Sequence, residues 1–169
     1  MVSTIPYNGH MKKIPLTPEG YALVDDEDYA YLSGWAWHKE MLGSGEHKNP
    51  YARRGTNLYG GIKKTKAMHR LIMGNPTGKE VDHINGDTLD NRRANLRVCT
   101  RAENAKNRKI NRNNTSSYKG VHRHQTGAWR SRIQVGGKRI SLGLFDTPEL
   151  AHAAYKRAEK EYYGEYARK

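Results

Sequence analysis

Cysteine is almost missing from this chain: Cys99 is the only one in 169 residues. One thiol closes no internal disulfide and builds no CxxC zinc ribbon, and it suits a reducing compartment. A disulfide-linked partner is not expected. Long apolar runs are missing too. Nothing approaches the ~20 consecutive apolar residues that a membrane-spanning helix needs, and the opening MVSTIPYNGHMKKIPL has no apolar stretch of the secretory kind. These absences predict a cytoplasmic protein with no membrane partner. Hydrophobic residues make up only 36% of the chain, which argues against one large core and for small modules. There is no internal repeat.

Acidic charge is scarce in one part only. The formal net charge is +13. Residues 1–60 carry 6 basic and 7 acidic side chains, whereas residues 61–169 carry 24 basic and 10 acidic. A basic two-thirds on a near-neutral start points to a polyanion. The basic residues face no continuous apolar helical stripe, so double-stranded DNA fits better than a membrane surface.

Along the chain, residues 1–60 read as a strand-rich region. KKIPLT and GYALVD are strand-like, and DDEDYAYLS opens with acids suited to a helix start and ends before Gly34. WAWHKE and NPYARRG read as strands around the Gly-rich LGSGEHKN. Trp35, Trp37 and Tyr51 are expected as core or sheet-face aromatics. IKKTKAMHRLIMG ends in an apolar helical turn, with His69 read as structural and Arg70 as a candidate phosphate contact. From Lys79 the order is strand (KEVDHI), polar loop (NGDTLDNRRAN), strand (LRVCT) and helix (RAENAKNRK), the helix opening at Thr100 with Glu103 in a capping-box position. Residues 111–117 are polar and read as a linker. Residues 118–169 read as three short strands split by QTG and GG, then a helix capped by Asp146 or Thr147, led by Pro148 and stopped by Gly164. Leu150, Ala154, Ala158 and Tyr162 are its expected buried stripe.

The stretch VDHINGDTLDNRRANLRVCTRAENAKNRK concentrates the chemistry. Asp82 and His83 end a strand, Asn95 precedes the next, and Asn104 lies on the helix 21 positions after His83. A hairpin packed on that helix would bring the Asp82 carboxylate and the Asn104 amide oxygen to one ion. Such hard oxygens suit Mg²⁺, Mn²⁺ or Ca²⁺ better than zinc. Neighbouring strand residues face opposite ways, so His83 is available to aim at a water instead. An imidazole has the right basicity to take its proton near neutral pH. Asn95 can lock the loop that carries His83, and Arg92, Arg93, Arg97, Arg101 and Arg108 are candidates to hold a phosphodiester backbone. An EF-hand is excluded, because DHINGDTLD has Ile84 at the third position and Gly86 at the fifth. Asp87, Asp90 and Asn91 read as turn and cap residues.

MHRLIMGNPTGKEVDHINGDTLDNRRANLRVCTRAENAKNRK resembles the HNH nucleases, the ββα-metal fold, in the form found in phage homing endonucleases. The resemblance implies His83 as general base, Asn95 as the loop brace, and Asp82 with Asn104 as ligands of one divalent ion, Mg²⁺ or Mn²⁺. Asn104 stands where the family's second histidine would be, which keeps an oxygen ligand and disfavours zinc.

In the last segment, strand alternation puts Trp129, Ser131, Ile133 and Val135 on one face and Arg130, Arg132 and Gln134 on the other. Ile140 and Leu142 follow inward, Arg139 and Ser141 outward. A sheet with one basic face, backed by a helix, can enter a major groove, where arginine reads guanine and glutamine reads adenine. YKGV, SLGLFDTPELAHAAY and YYGEYAR, with a Trp and an Ile in order between, resemble the AP2 DNA-binding domain from about Ser117 onward. The resemblance maps DNA contacts to Lys119, His122, His124, Arg130, Arg132, Gln134, Arg139 and Ser141. His122, His124, Thr126 and Ser141 depart from the family pattern, so no base preference carries over.

The sequence therefore predicts an α+β protein. Its parts are an N-terminal strand-rich region (1–60), a ββα-metal HNH nuclease module (61–110), a linker (111–117) and an AP2-like unit (118–169). The expected function is a site-directed, homing-type DNA endonuclease. The alternative is a sequence-specific DNA-binding protein whose HNH unit is inactive.

Overall fold

MKKIP and YALVD pair as an antiparallel ribbon, β1 (Met11–Pro15) with β2 (Tyr21–Asp25), which buries Ile14, Ala22 and Val24. This is a computed structural model, and it describes residues 10–43, 48–57, 63–108, 110 and 114–167. The middle of the expected Gly-rich turn and the first residues of the expected linker lie outside them. Helix α1 (Asp26–Ser33) follows β2 directly. Asp26, Glu27 and Asp28 fill its first turn, where the helix dipole favours negative charge. Its last turn is closed by Trp37, whose indole N–H donates to the Leu32 carbonyl at 2.8 Å.

Three strands then form an antiparallel sheet in the order β3 (His38–Leu42), β4 (Asn49–Asn57), β5 (Lys63–Ala67). Strand β5 is not legible in the sequence. KKTKA has no apolar alternation, and its lysines suit the edge position it takes. The expected helical turn is α2 (Met68–Ile72), and a two-stranded hairpin follows, β6 (Glu80–His83) with β7 (Leu96–Cys99), placing Asp82 opposite Arg97 and His83 opposite Leu96. A 3₁₀ turn, Arg93–Asn95, leads into β7.

The chain divides into two compact units, residues 1–100 and 101–169. In the first, one core joins Ile14, Val24, Leu32, Trp37 and Ala52 to Met68, Ile72, Val81 and Leu96. The strands before residue 60 and the β6–β7 hairpin thus bury their apolar faces together, which neither has enough apolar surface to do alone.

The second unit opens with α3 (Arg101–Lys106), which starts where expected and stops short of Lys109. The Asn107 amide bonds to the Asn104 carbonyl, a tightened last turn at a residue type that favours turns. Residues 114–117, expected as linker, are instead tied in. The Ser116 hydroxyl donates within reach of the Val121 carbonyl at 2.8 Å, and its amide donates to Asn114 Oδ1 at 2.9 Å. Strands β8 (Val121–Arg123), β9 (Trp129–Val135) and β10 (Lys138–Phe145) form an antiparallel sheet with β9 central. Helix α4 (Pro148–Tyr163) covers one face. Thr147 caps it by accepting from the Leu150 amide, Pro148 stands in the first turn, and Gly164 follows its end.

Ser131 and Ile133 are buried as the alternation predicts, with Val135, Ile140 and Leu142 packed on the same core. The helix stripe is different from the one expected. Ala151, Ala154, Tyr155, Ala158 and Tyr163 are buried, whereas Leu150 and Tyr162 are 54% and 41% exposed. The reason is geometric. A strict run of four-residue steps drifts around a helix of 3.6 residues per turn, and a straight buried face must mix steps of three and four.

Gly120 makes the closest approach in this unit. Its φ is +74°, and a Cβ there would lie 2.2 Å from the Tyr155 ring. Gly120→Ala is expected to destabilise the protein by about 2–4 kcal/mol, through overpacking plus a left-handed backbone. Chemical denaturation monitored by tryptophan fluorescence measures it, and a change within about 0.5 kcal/mol, the usual scatter of surface substitutions, contradicts this packing.

Candidate active site

The β6–β7 loop has little regular structure, so side-chain and cross-strand hydrogen bonds set its shape. Asn95, 7% exposed, binds both ends of it. Its Oδ1 accepts from the Asn85 amide at 3.0 Å, and its Nδ2 donates to the Asp90 carbonyl at 2.7 Å. Its own carbonyl accepts from the Ile84 amide at 2.9 Å. Asp90 is buried and grips the guanidinium of Arg92 with both oxygens at 2.7 Å. Burial pushes the Asp90 carboxyl up, but the Arg92 hydrogen bonds and charge outweigh it and hold the group below the ordinary value.

The loop is also fastened to the strands before it. Leu23 of β2 exchanges backbone hydrogen bonds with Leu89 and Asn91 at 2.9 and 2.8 Å. The Arg93 amide donates to Asp25, and its guanidinium is forked onto Asp28 at 2.8 and 2.7 Å, with Glu27 also at 2.7 Å. Thr88 donates to the Pro50 carbonyl. Asp25, Glu27 and Asp28 form the only cluster of three potential His/Cys/Asp/Glu ligands among the described residues, and Arg93 already supplies its countercharge.

His83 is 4% exposed at the end of β6. Its Nε2 lies 3.2 Å from Asn91 Oδ1, while Asn91 Nδ2 donates to the Leu89 carbonyl. An amide oxygen only accepts, so Nε2 carries the hydrogen and the basic lone pair is on Nδ1. Burial lowers the imidazole's pKa. The Asn91 bond and the charges of Asp82, Asp87 and Asp90 oppose that shift without reversing it, so the ring is neutral at pH 7.

Asp82, 8% exposed, receives the Arg97 side chain on Oδ2, from Nε at 2.9 Å and Nη2 at 2.6 Å. His69 of α2 packs its ring edge-on to His83, with centroids 5.0 Å apart, and the Tyr51 ring of β4 is 5.6 Å from His69 and 6.2 Å from His83.

Of the sequence-derived candidates, Asp82, His83 and Asn95 share this first unit. Asn104 is on α3, in the second. Arg92, Arg93 and Arg97 are each held by carboxylates, and Arg70 donates to the Lys79 and Pro76 carbonyls at 3.0 and 2.6 Å. Arg101 and Arg108 are exposed, with no side-chain partner among the described residues.

In the second unit Lys119 does not face outward. Its ammonium turns to α4 and pairs with buried Glu159 at 3.0 Å, because a carboxylate that is 1% exposed needs a countercharge. Strand register places His122 opposite Arg130, Ser141 opposite Arg132 and Arg139 opposite Gln134. Burial lowers the His122 pKa, and the charges of Arg132, Arg130 and Arg139 lower it further, which shows how tightly cations crowd this face. His124 bonds Thr126 in the β8–β9 turn at 2.8 Å.

The sequence reading took Asn91 as a turn residue and did not foresee its bond to His83 or the packing of Tyr51 and His69 beside it. Their proximity depends on long-range packing that no local pattern encodes.

A family model described as HNH endonuclease matches residues 66–106. Protein 3.8 of Escherichia phage T7 is 33% identical over 94 residues, which are 55% of this chain and 77% of that protein. The chain belongs to the family of that phage protein and carries an HNH endonuclease domain. Uncharacterized HNH endonuclease L560 of Acanthamoeba polyphaga mimivirus is 24% identical over 149 residues, 87% of this chain and 73% of that protein. The AP2-like ethylene-responsive transcription factor TOE2 of Arabidopsis thaliana is 42% identical over 60 residues, 35% of this chain and 12% of that protein. No solved structure matches.

His69 gives this site a pH signature. Its imidazole is buried, and burial, helped by His83, Arg70 and Arg53, pulls its pKa down to about 3. The unfolded chain accepts a proton near pH 6.5 that the folded ring refuses, so stability is full above that pH and falls as pH drops toward about 3. Urea unfolding between pH 4 and 8 is expected to show this loss, and His69→Gln to flatten it. Equal slopes for the two proteins contradict it.

Proposed function

We propose that the protein is a site-directed, homing-type DNA endonuclease. In this reading a ββα-metal HNH site cuts, and an AP2-like sheet chooses where. The observation that supports it most directly is the preparation of His83. The ring is neutral, its tautomer is set by Asn91, it ends the strand that holds Asp82, and the loop that follows is braced by Asn95. A neutral imidazole with its lone pair on Nδ1 is suited to remove a proton from a water attacking phosphorus.

The donor set fits a hard divalent cation. Asp82 offers a carboxylate and Asn104 an amide oxygen, and no thiolate accompanies them, so Mg²⁺ or Mn²⁺ suits them better than zinc. The pairing of these two residues rests on the motif, since they belong to different units. When bound, such an ion stabilises charge on the leaving 3′ oxygen. The protein's own part is to hold the base, keep it neutral, and place cations along the backbone. Arg101 and Arg108 have their charge to spend on phosphates, whereas Arg70, Arg92, Arg93 and Arg97 chiefly organise the site. On the C-terminal sheet, His122, Arg130, Arg132, Gln134, Arg139 and Ser141 form the face offered to base edges, with His124 at its rim. Double-stranded DNA is the partner.

A second reading, a DNA-binding protein with an inactive HNH unit, draws on one observation: the Arg97 guanidinium already occupies Asp82. Both readings expect affinity to fall with salt at a log–log slope of about 0.9 per phosphate neutralised. Catalysis separates them. Supercoiled plasmid incubated with the protein and Mg²⁺ or Mn²⁺ is expected to be nicked or linearised, with EDTA abolishing the reaction and His83→Ala slowing it about 10²–10⁴-fold. Intact plasmid with either ion, on DNA that the protein demonstrably binds, would leave the second reading standing.

The His122 neighbourhood yields a second test. Its pKa is lowered in the free protein partly by three arginines. Phosphates that neutralise those arginines raise it again, so binding takes up a proton and tightens as pH falls below the bound-state pKa. Fluorescence anisotropy from pH 8 to 5.5 is expected to show this, with a weaker trend in His122→Gln. An unchanged trend in the variant contradicts the assignment of this face.

A further inference from the structure

The strands before residue 60 bring one side chain to the cleavage site that the HNH motif does not contain. Tyr51 lies on β4, and its ring completes a three-ring wall with His69 and His83, at 5.6 and 6.2 Å between centroids. The ring is half-buried, and its hydroxyl has no hydrogen-bonding partner among the described residues. Burial raises the phenol's pKa, with smaller contributions from the charges of Asp82 and Glu80. Its O–H is a hydrogen-bond donor on a ring whose centroid lies 6.2 Å from that of His83.

His69 completes the arrangement. It is buried against both other rings, and its Nδ1 is buried without a partner. A ring whose nitrogen goes unused in the interior serves by its shape, holding the planes of Tyr51 and His83.

We propose that the Tyr51 hydroxyl donates a hydrogen bond to a non-bridging oxygen of the phosphodiester being cut, with His69, packed against both the Tyr51 and His83 rings, as the positioning residue. This rests on the nuclease reading. It gives the N-terminal sheet a part in catalysis beyond packing. A donor aimed at an oxygen that gains charge in the transition state, while leaving the attacking water to His83, lowers the barrier without changing the net charge of the site.

The test uses the full chain, plasmid DNA and Mn²⁺ under single-turnover conditions, with melting temperature and DNA affinity in EDTA measured beside the rate. Tyr51→Phe keeps the ring and removes the donor. Its cleavage rate is expected to fall about 10- to 100-fold, as for loss of a hydrogen bond to a charged group, with melting temperature and EDTA affinity close to wild type. His69→Ala is expected to lose a comparable factor and His69→Phe to recover most of it. Cleavage by Tyr51→Phe at the wild-type rate overturns the assignment, and so does a rate loss matched by an equal loss of melting temperature. Failure of His69→Phe to do better than His69→Ala overturns the positioning role. If the wild type and His83→Ala are alike in cutting nothing, the nuclease reading itself fails, and the proposal with it.

Discussion

The architecture of the first unit depends on how a loop with little regular structure is kept in one shape. The residues between β6 and β7 include two glycine-or-asparagine turns and few apolar side chains, so burial alone cannot order them. Their order comes from backbone pairing with Leu23, from the Arg93 fork on the α1 acids, and from the Asn95 amide bridging the loop's two ends. Each bond is worth little net in water, but each is expensive to leave unmade once its groups are buried. The network is therefore close to all-or-none, and it holds the loop that leaves the His83 end of β6.

This view gives the near-neutral first third of the chain a physical reason. Its acids do not repel a polyanion idly, since Asp25, Glu27 and Asp28 are consumed by Arg93. The basic excess of the remainder is likewise divided. Arginines beside the hairpin are neutralised inside the unit and shape the site, while those on the C-terminal sheet stay crowded and uncompensated enough to depress a neighbouring histidine. Some of the chain's cations are thus neutralised internally, while others are not. A count of Lys and Arg along a sequence cannot distinguish the two.

What the sequence made legible follows from the range of the interactions involved. The β6–β7–α3 order, the capping of α4 by Thr147 and the alternation on β9 are local, and local patterns foretold them. Asn95 was also legible, because a loop brace must sit next to the strand it leads into. Strand β5 was not, since an edge strand made mostly of lysine pairs through its backbone and leaves no apolar period. Nor were the inward turn of Lys119 or the ordering of Ser116, both fixed by partners that only the folded chain supplies. The helix stripe was misjudged at its ends for a simpler reason, the drift of a four-residue step.

The same long-range packing explains why the site pairs buried imidazoles at all. Burying an imidazole sacrifices hydration that a hydrogen bond must replace, and the Nδ1 of His69 is buried without a partner. A leucine or phenylalanine at position 69 would pack as well and cost less. A polar ring at this position keeps a second imidazole and a phenol in contact with His83, an arrangement that burial alone does not favour.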